Sequence, residues 1–131
     1  MTKEKLFKRE YAFELQRIAH GDLESAEGMR ESGRGRPENV CYMAQQSIEK
    51  SLKALLCYLG QPIPFTHSIE LLIDRIPKDS RPQDVELLIE LTDYAMVRRY
   101  NEGSEILTAE DLAATIDAAR RLLKWVDDSL R

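Results

Sequence analysis

The sequence predicts an all-α protein, a bundle of four to five helices. Apolar residues recur at spacings of three and four along five segments, which is the period of an amphipathic helix. No segment alternates apolar and polar residues as a half-buried strand would. Glycine and proline fall between the five segments, so loops of four to eight residues join successive helices. Short connections of this kind are typical of helical bundles.

The first two helices are the longest. The first is predicted over about Lys3 to Ser32, and a glycine-rich loop follows at residues 33–36. Pro37 suits the first turn of the second helix, where its missing N–H costs nothing. Gly60 ends that helix, because glycine readily adopts the left-handed cap conformation. The apolar side of the first helix is predicted as Leu6, Phe13, Ile18, Leu23, Ala26 and Met29, and that of the second as Val40, Cys41, Ala44, Ile48, Leu52, Leu55, Leu56 and Leu59.

Three shorter helices complete the pattern. The third follows Thr66-His67-Ser68, and the fourth is predicted from Pro82 to about Arg99. The fifth starts at Thr108, where Asp111 takes the place of the usual glutamate in a capping box. The positions predicted to be buried are Ile69, Leu72, Ile73 and Ile76 in the third helix, Val85, Leu88, Ile89, Thr92, Ala95 and Met96 in the fourth, and Leu112, Ile116, Ala119, Leu123 and Val126 in the fifth.

Length and composition are those of a globular protein. The chain has 131 residues, of which 43% are apolar and 32% charged, so we expect residues 1–131 to form a single helical domain. No apolar run is long enough to span a membrane, and the N-terminus lacks a secretory signal, which predicts a cytoplasmic protein without a membrane partner. The net charge of −4 disfavours non-specific binding to nucleic acid through a broad basic surface, although it is compatible with a small basic spot.

Cysteine and histidine usage argues against disulfide and metal chemistry. Cys41 and Cys57 lie sixteen residues apart on the second predicted helix. That separation is roughly 24 Å along a helix, too far for a disulfide, so both are predicted as small core residues. His20 and His67 have no Cys or His partner at metal-ligand spacing. No glycine-rich phosphate loop occurs either, and we expect neither a metal nor a cofactor.

A polar patch on the second helix is the first candidate binding surface. Gln46, Lys50 and Lys53 share one face at spacings of four and three. Gln45 and Glu49 form the adjacent row, next to the apolar stripe. Two interpretations remain open: a solvated face, or a polar strip that contacts a partner.

Two further segments are candidates for ligand binding. Arg98-Arg99-Tyr100-Asn101 ends the predicted fourth helix, where two guanidinium groups and a phenol ring are suited to bind phosphate and to stack a base. Arginines at this position can equally satisfy the terminal carbonyls of the helix. In Thr66-His67-Ser68 a hydroxyl group is suited to cap the third helix. His67 then either fixes this loop against the second helix or takes part in catalysis.

Four segments together resemble the HEPN (higher eukaryote and prokaryote nucleotide-binding) domain family. Residues 42–56 resemble the signature of its second helix, and residues 64–72 resemble its Pro-x-Thr-His-x-(Ile/Leu)-x-x-Leu segment. Arg98-Arg99-Tyr100-Asn101 resembles its Arg-Tyr-Pro motif, with Asn101 where many members have proline. Residues 22–26 resemble the Asp-Leu-x-x-Ala of its first helix. The four segments occur in order and cover nearly the whole chain.

The resemblance implies an up-down bundle of four or five helices that often dimerises. Many small prokaryotic members form a toxin–antitoxin pair with a minimal nucleotidyltransferase, and others are ribonucleases that carry arginine, four to six residues, and then histidine. Neither histidine of this chain follows an arginine at that spacing. The sequence therefore favours the Arg-Tyr-Pro branch over the ribonucleases.

These observations support one leading hypothesis and two alternatives. The leading hypothesis is a non-catalytic, dimeric module that binds a nucleotidyltransferase partner, a nucleotide or the phosphate of RNA. The alternatives are a metal-independent ribonuclease with a site assembled across the dimer, and a regulatory protein-interaction domain. A homodimer is expected because Tyr42, Tyr58 and Trp125 are residue types enriched at interfaces. The candidate nucleotide- or phosphate-binding residues are Arg98, Arg99, Tyr100, Asn101, His67, Gln46, Lys50 and Lys53.

Overall fold

The computed structural model describes residues 3–90 and 107–130, with side chains from residue 8 onwards. Within these residues, regular secondary structure is entirely helical, which confirms the all-α bundle predicted from the sequence. No helix in these ranges combines the length and the apolar content needed to cross a membrane. In chain order, the helices span Lys3–Ser32 (α1), Pro37–Tyr58 (α2), Ile69–Arg75 (α3) and Ala109–Ser129 (α5), with a 3₁₀ turn at Lys78–Ser80. Between this turn and α5 lies α4, of which residues 85–90 are described.

Helix α2 lies at the centre of the bundle. It packs against α1, α3 and α5. Its apolar stripe faces inward, and Ile48 and Leu52 have no accessible surface. Every residue of the predicted stripe is buried except Leu59, which is partly buried against the core. The period of three and four in the sequence therefore identified the buried face of this helix correctly.

Small residues line the contact between α1 and α2. Ala12, Ala19 and Ala26 recur every seven residues, about two helical turns, and all three are fully buried. Their methyl groups keep side-chain bulk out of the contact, and the hydroxyl of Ser47 on α2 donates to the carbonyl of Ala19 at 2.8 Å. This inter-helix hydrogen bond satisfies a hydroxyl that would be costly to bury without a partner.

The inward face of α1 agrees with the sequence prediction in part: Leu23 and Ala26 are buried and Met29 packs against the core, while the side chain of Leu6 lies outside the described residues. Phe13 was expected on the apolar side, but it is 45% exposed, and its ring lies 6.4 Å from that of Tyr58. Ile18 is only partly buried. The prediction omitted Ala12, Leu15 and Ala19, all of which are buried. The buried row of α1 is Ala12, Leu15, Ala19, Leu23 and Ala26.

The predicted end of α2 is confirmed by its hydrogen bonds. Gly60 adopts a φ of 75°, which favours glycine over residues with a Cβ atom. Its N–H donates to the carbonyl of Cys57 at 3.0 Å, and the N–H of Gln61 donates to that of Leu56 at 2.9 Å. These two bonds form a Schellman motif, which satisfies carbonyls left without partners at the helix end.

Helix α4 begins later than predicted. Asp84 has a φ of 58°, a conformation that a right-handed helix cannot contain, so a helix starting at Pro82 is excluded. The carbonyl of Asp84 accepts the N–H of Leu88 at 3.0 Å, and the helical residues start at Val85. The predicted end of this helix at Arg99, and its predicted core positions Thr92, Ala95 and Met96, lie outside the described residues.

The start of α5 confirms the predicted capping box. The hydroxyl of Thr108 accepts the N–H of Asp111 at 3.1 Å, and the carboxylate of Asp111 accepts the N–H of Thr108 at 2.8 Å. Two N–H groups at the start of the helix thereby find local acceptors.

Both cysteines are core residues, as expected. Cys41 and Cys57 are buried and neither forms a disulfide. Burial raises the pKa of the Cys41 thiol to about 11 and also raises the pKa of Cys57. Both thiols are therefore poor nucleophiles at neutral pH.

Candidate functional site

A buried carboxylate on α2 forms the centre of the candidate site. The side chain of Glu49 is only 2% exposed. Burying an ionised carboxylate is costly unless charged or hydrogen-bonding groups compensate it. The polar groups that surround Glu49 therefore define the site.

Three nitrogen-bearing side chains lie against the carboxylate of Glu49. The Nδ1 of His67 lies 2.6 Å from Oε1, the Nζ of Lys50 lies 3.2 Å from Oε2, and the Nζ of Lys53 lies 3.8 Å from Oε1. Lys50 also donates to the Oε1 of Gln46 at 3.3 Å. The two lysine side chains are 25% and 16% exposed, so their charges are directed mainly at the protein.

Helix α1 contributes a second carboxylate, Asp22. Burial raises the pKa of Asp22 above its ordinary value, the positive charge of Lys50 lowers it, and the negative charge of Glu49 raises it. Asp22 is thus close enough to interact electrostatically with both residues of α2. We refer to Asp22, Gln46, Glu49, Lys50, Lys53 and His67 together as the Glu49 cluster.

Local hydrogen bonds hold His67 above α2. The hydroxyl of Thr66 accepts the N–H of Ser68 at 3.0 Å, and the hydroxyl of Ser68 accepts the N–H of Leu71 at 3.2 Å. Ser68 is therefore the N-cap of α3, a helix that packs against α2. His67 lies between these two anchored residues, at the junction of the loop and α3.

The contact with Glu49 determines which nitrogen of His67 faces a ligand. A carboxylate only accepts hydrogen bonds, so Nδ1 is assigned as the donor. In the neutral ring, Nε2 then carries a lone pair, and in the protonated ring it carries a hydrogen. The side chain of His67 is 80% exposed, which leaves Nε2 available to a ligand.

The charges of the Glu49 cluster nearly cancel. Lys50 and Lys53 are compensated by Glu49 and Asp22, so the cluster is neutral with a neutral His67 and carries one positive charge with a protonated one. This arrangement can fix the loop to α2, or it can orient an imidazole towards a ligand. Strong binding of a phosphate group requires an additional cation.

The structure brings together four of the eight candidate residues. Gln46, Lys50, Lys53 and His67 all belong to the Glu49 cluster. The other four candidates, Arg98, Arg99, Tyr100 and Asn101, lie outside the described residues.

Sequence reasoning did not identify the residue at the centre of the cluster. It assigned Glu49 to a polar row beside the apolar stripe, and it used Asp22 only as part of a motif. The available signal was an acidic residue bordering a buried stripe, with lysine one and four positions later. Such an acid is within reach of the lysine four positions later on the same helix.

The second histidine has a separate contact at the surface. The Nε2 of His20 on α1 lies 3.0 Å from Oδ2 of Asp127 on α5, and the His20 side chain is 48% exposed. This pair connects the first and last helices. Within residues 8–90 and 107–130, no group of three or more His, Cys, Asp or Glu side chains is arranged to hold a metal ion.

Comparison with known proteins relates the whole bundle to one family. The profile of the HEPN domain matches residues 12–129, a range that includes the entire Glu49 cluster. No curated protein sequence matches the chain.

Two crystal structures resemble the bundle. TT1696 from Thermus thermophilus superposes with a TM-score of 0.76 at 24% identity, covering 89% of this chain and 96% of that one. ST0689, described as an archaeal HEPN homologue, superposes with a TM-score of 0.68 at 25% identity, covering 92% and 98% respectively. The similarity therefore extends over nearly the full length of both solved chains.

Proposed function

Because this chain belongs to the HEPN domain family, we propose that it is a dimeric, non-catalytic module that binds a phosphate-bearing ligand, either a nucleotide or RNA, and a nucleotidyltransferase partner. The observation that carries the proposal is that His67 is both exposed to solvent and held in place by Glu49. Its ring is 80% exposed, yet it is held by a carboxylate that is 2% exposed. A side chain that is both accessible and already fixed loses little conformational entropy when a ligand binds.

The proposed site combines the Glu49 cluster with the arginine segment. The cluster is nearly neutral, so phosphate binding needs the cations of Arg98 and Arg99. Guanidinium groups remain charged at all working pH values and match the geometry of phosphate oxygens. Tyr100 adds a ring and a hydroxyl, and Asn101 adds an amide. In this proposal His67 contributes a hydrogen bond through Nε2.

Ligand binding by His67 can be tested with a control from the same chain. Binding of a labelled single-stranded RNA and of a nucleotide is measured by fluorescence anisotropy or calorimetry, for the wild type, His67→Asn and His20→Asn. Both histidines are paired with a carboxylate, but only His67 belongs to the Glu49 cluster. We expect weaker binding for His67→Asn alone. Failure of the wild type to bind either ligand would reject the proposal.

The proposal treats residues 1–131 as one HEPN domain that acts in a two-component toxin–antitoxin system. The family match over residues 12–129 and a continuous buried cluster from Ala12 to Leu130 support the single domain. The partner is tested by co-expression of the chain with the product of the adjacent reading frame. Co-purification of a minimal nucleotidyltransferase supports the pairing, whereas a different product or no complex argues against it.

Homodimerisation is the second part of the proposal. Tyr42, Tyr58 and Trp125 are each only partly buried in one copy of the chain, and aromatic residues are enriched at protein interfaces. Sedimentation should therefore detect a species of twice 15.1 kDa. A single 15.1 kDa species at high protein concentration would contradict this part of the proposal.

Metal-independent RNA cleavage is a second candidate function, favoured by the contact between Glu49 and His67. A carboxylate at Nδ1 orients an imidazole whose Nε2 can act as a general base. In such a reaction Nε2 takes the proton of a ribose 2′-hydroxyl, the 2′-oxygen bonds to phosphorus, and the bond from phosphorus to the 5′-oxygen breaks. The leaving 5′-oxygen takes a proton from water. If the wild type binds RNA in EDTA without cleaving it, the non-catalytic binding function is supported. If the wild type forms cyclic-phosphate products and His67→Ala does not, the chain is a ribonuclease.

A further inference from the structure

Phe65 is the most exposed large apolar side chain in the described part of the chain. Its relative exposure is 109%, whereas those of Tyr11, Phe13 and Leu87 lie between 42% and 47%. A phenylalanine with its entire ring in water makes no contribution to the core. Its position suggests a role in contacting another molecule.

The chain is anchored on both sides of Phe65. Two residues earlier, Ile63 packs against the main core cluster. Two residues later, His67 is held by Glu49 at 2.6 Å. Pro62 and Pro64 further restrict the backbone of this loop. The ring is therefore presented to solvent by a loop whose neighbouring residues are fixed.

The surroundings of Phe65 suit a nucleobase. Every nucleobase has a π-face that can stack on an exposed aromatic ring, so an unpaired base is a suitable partner for Phe65. Two residues away, the exposed Nε2 of His67 is available to hydrogen-bond the same ligand.

We propose that Phe65 is a stacking platform for an unpaired nucleobase, supplied by a free nucleotide or by single-stranded RNA. This inference rests on the proposed function and deepens it, because it assigns the base of the ligand to Phe65. A base inside a duplex has both faces covered by its neighbours and cannot stack on the ring. The site therefore selects single-stranded over double-stranded ligands.

The test compares variants of Phe65 with a matched control. The full-length variants Phe65→Ala, Phe65→Trp and Phe13→Ala are titrated with AMP, with a single-stranded RNA of about ten nucleotides and with the same sequence as a duplex. Phe13 is exposed on α1 and serves as a control for loss of an exposed aromatic ring. We expect Phe65→Ala to weaken binding of the single strand by roughly 5- to 150-fold, the range measured for stacking of one base. Phe65→Trp should retain binding, as should Phe13→Ala.

The outcomes separate this inference from the function on which it rests. If the wild type and Phe65→Ala bind the single strand equally, the stacking platform is rejected while the binding module stands. If the wild type binds neither AMP nor RNA, both proposals are rejected. Loss of the dimer in Phe65→Ala by sedimentation would identify Phe65 as a subunit contact and also reject stacking. If Phe65→Ala weakens AMP binding, a free nucleotide is a sufficient ligand for the platform. If it weakens only RNA binding, the ligand is the RNA strand.

Discussion

The Nδ1 of His67 lies 2.6 Å from Oε1 of Glu49, so an exposed imidazole ring is hydrogen-bonded to a buried carboxylate. This contact connects the start of α3 to the middle of α2. Glu49 also compensates the charges of Lys50 and Lys53. One carboxylate thereby supports the loop, two cations and the orientation of an imidazole.

Substitution of Glu49 should destabilise the fold. Glu49→Gln removes the negative charge opposite two partly buried ammonium groups, and we expect a loss of about 1–3 kcal/mol in the free energy of unfolding. Chemical denaturation measures it. The control is Glu27→Gln, which removes a surface ion pair with Arg120 at 3.2 Å and should cost less than about 1 kcal/mol. Equal losses in the two variants would show that the Glu49 cluster contributes no more than a surface pair.

Asp22 should make stability fall as pH rises. Burial raises its pKa above the ordinary value of 3.8, so its deprotonation is less favourable in the folded chain than in the unfolded one. The resulting loss of folding stability is absent below pH 3.8 and is complete at pH values above the raised pKa of Asp22. Asp22→Asn removes the penalty, so its stability relative to the wild type should be greater at neutral pH than in acid. Urea unfolding at both pH values measures the difference.

Glu14 is a control for Asp22, because its pKa is shifted in the opposite direction. A hydrogen bond from Arg17 lowers the pKa of Glu14, so this carboxylate favours folding at neutral pH and loses that effect in acid. Glu14→Gln should therefore lower stability at neutral pH relative to acid. The same direction of change in both variants would contradict the assignment of Asp22.

Features encoded within a few residues could be predicted from the sequence, and features set by packing could not. The capping box of Thr108 and Asp111 and the helix end at Gly60 depend on residues within one turn, and both were predicted. The inward face of α1 depends on its partner, because Ala12 rather than Phe13 fits against α2. The sequence thus indicated the helix and part of its buried face, Leu23 and Ala26, but not Ala12 and Ala19.

The candidate site follows the same division. The spacing of Gln46, Lys50 and Lys53 on one helix placed them together. The contact of Glu49 with His67 joins residues eighteen positions apart, so it depends on how the loop returns over α2. The burial of Glu49 likewise arises from neighbouring elements, and its position beside the apolar stripe was only an indirect signal.

The centre of the core should be sensitive to cavities. Leu52 has no accessible surface, and we expect Leu52→Ala to cost about 2–5 kcal/mol because a buried cavity remains. The matched control Leu87→Ala changes a side chain that is 42% exposed and should have a much smaller effect. Thermal or chemical denaturation compares the two variants. An unchanged stability of Leu52→Ala would contradict the central position of α2.

The two thiols should be protected from alkylation in the folded protein. The pKa of Cys41 is raised to about 11, so only about one thiol in a thousand is ionised at pH 8. Burial raises the pKa of Cys57 too. Iodoacetamide should therefore modify both residues slowly in the native protein and rapidly in denaturant, as measured by mass spectrometry. Rapid modification of native Cys41 would show that it is accessible to solvent.

The arginine pair of the proposed site can be tested against a second arginine pair. We expect Arg98→Ala combined with Arg99→Ala to abolish nucleotide or RNA binding, because carboxylates already compensate the charges of Lys50 and Lys53 in the Glu49 cluster. Stability should change by less than about 1 kcal/mol, because in this proposal the two arginines contact the ligand rather than the fold. The control combines Arg120→Ala with Arg121→Ala, two adjacent arginines on α5 that are 55% and 54% exposed and engage acidic partners at the surface. Both double variants remove two positive charges, so a general electrostatic effect would weaken binding equally. If the Arg98 and Arg99 variant unfolds, or binds as well as the wild type, these arginines cap a helix or pair with an acid such as Asp93 or Glu102, and the site assignment is wrong.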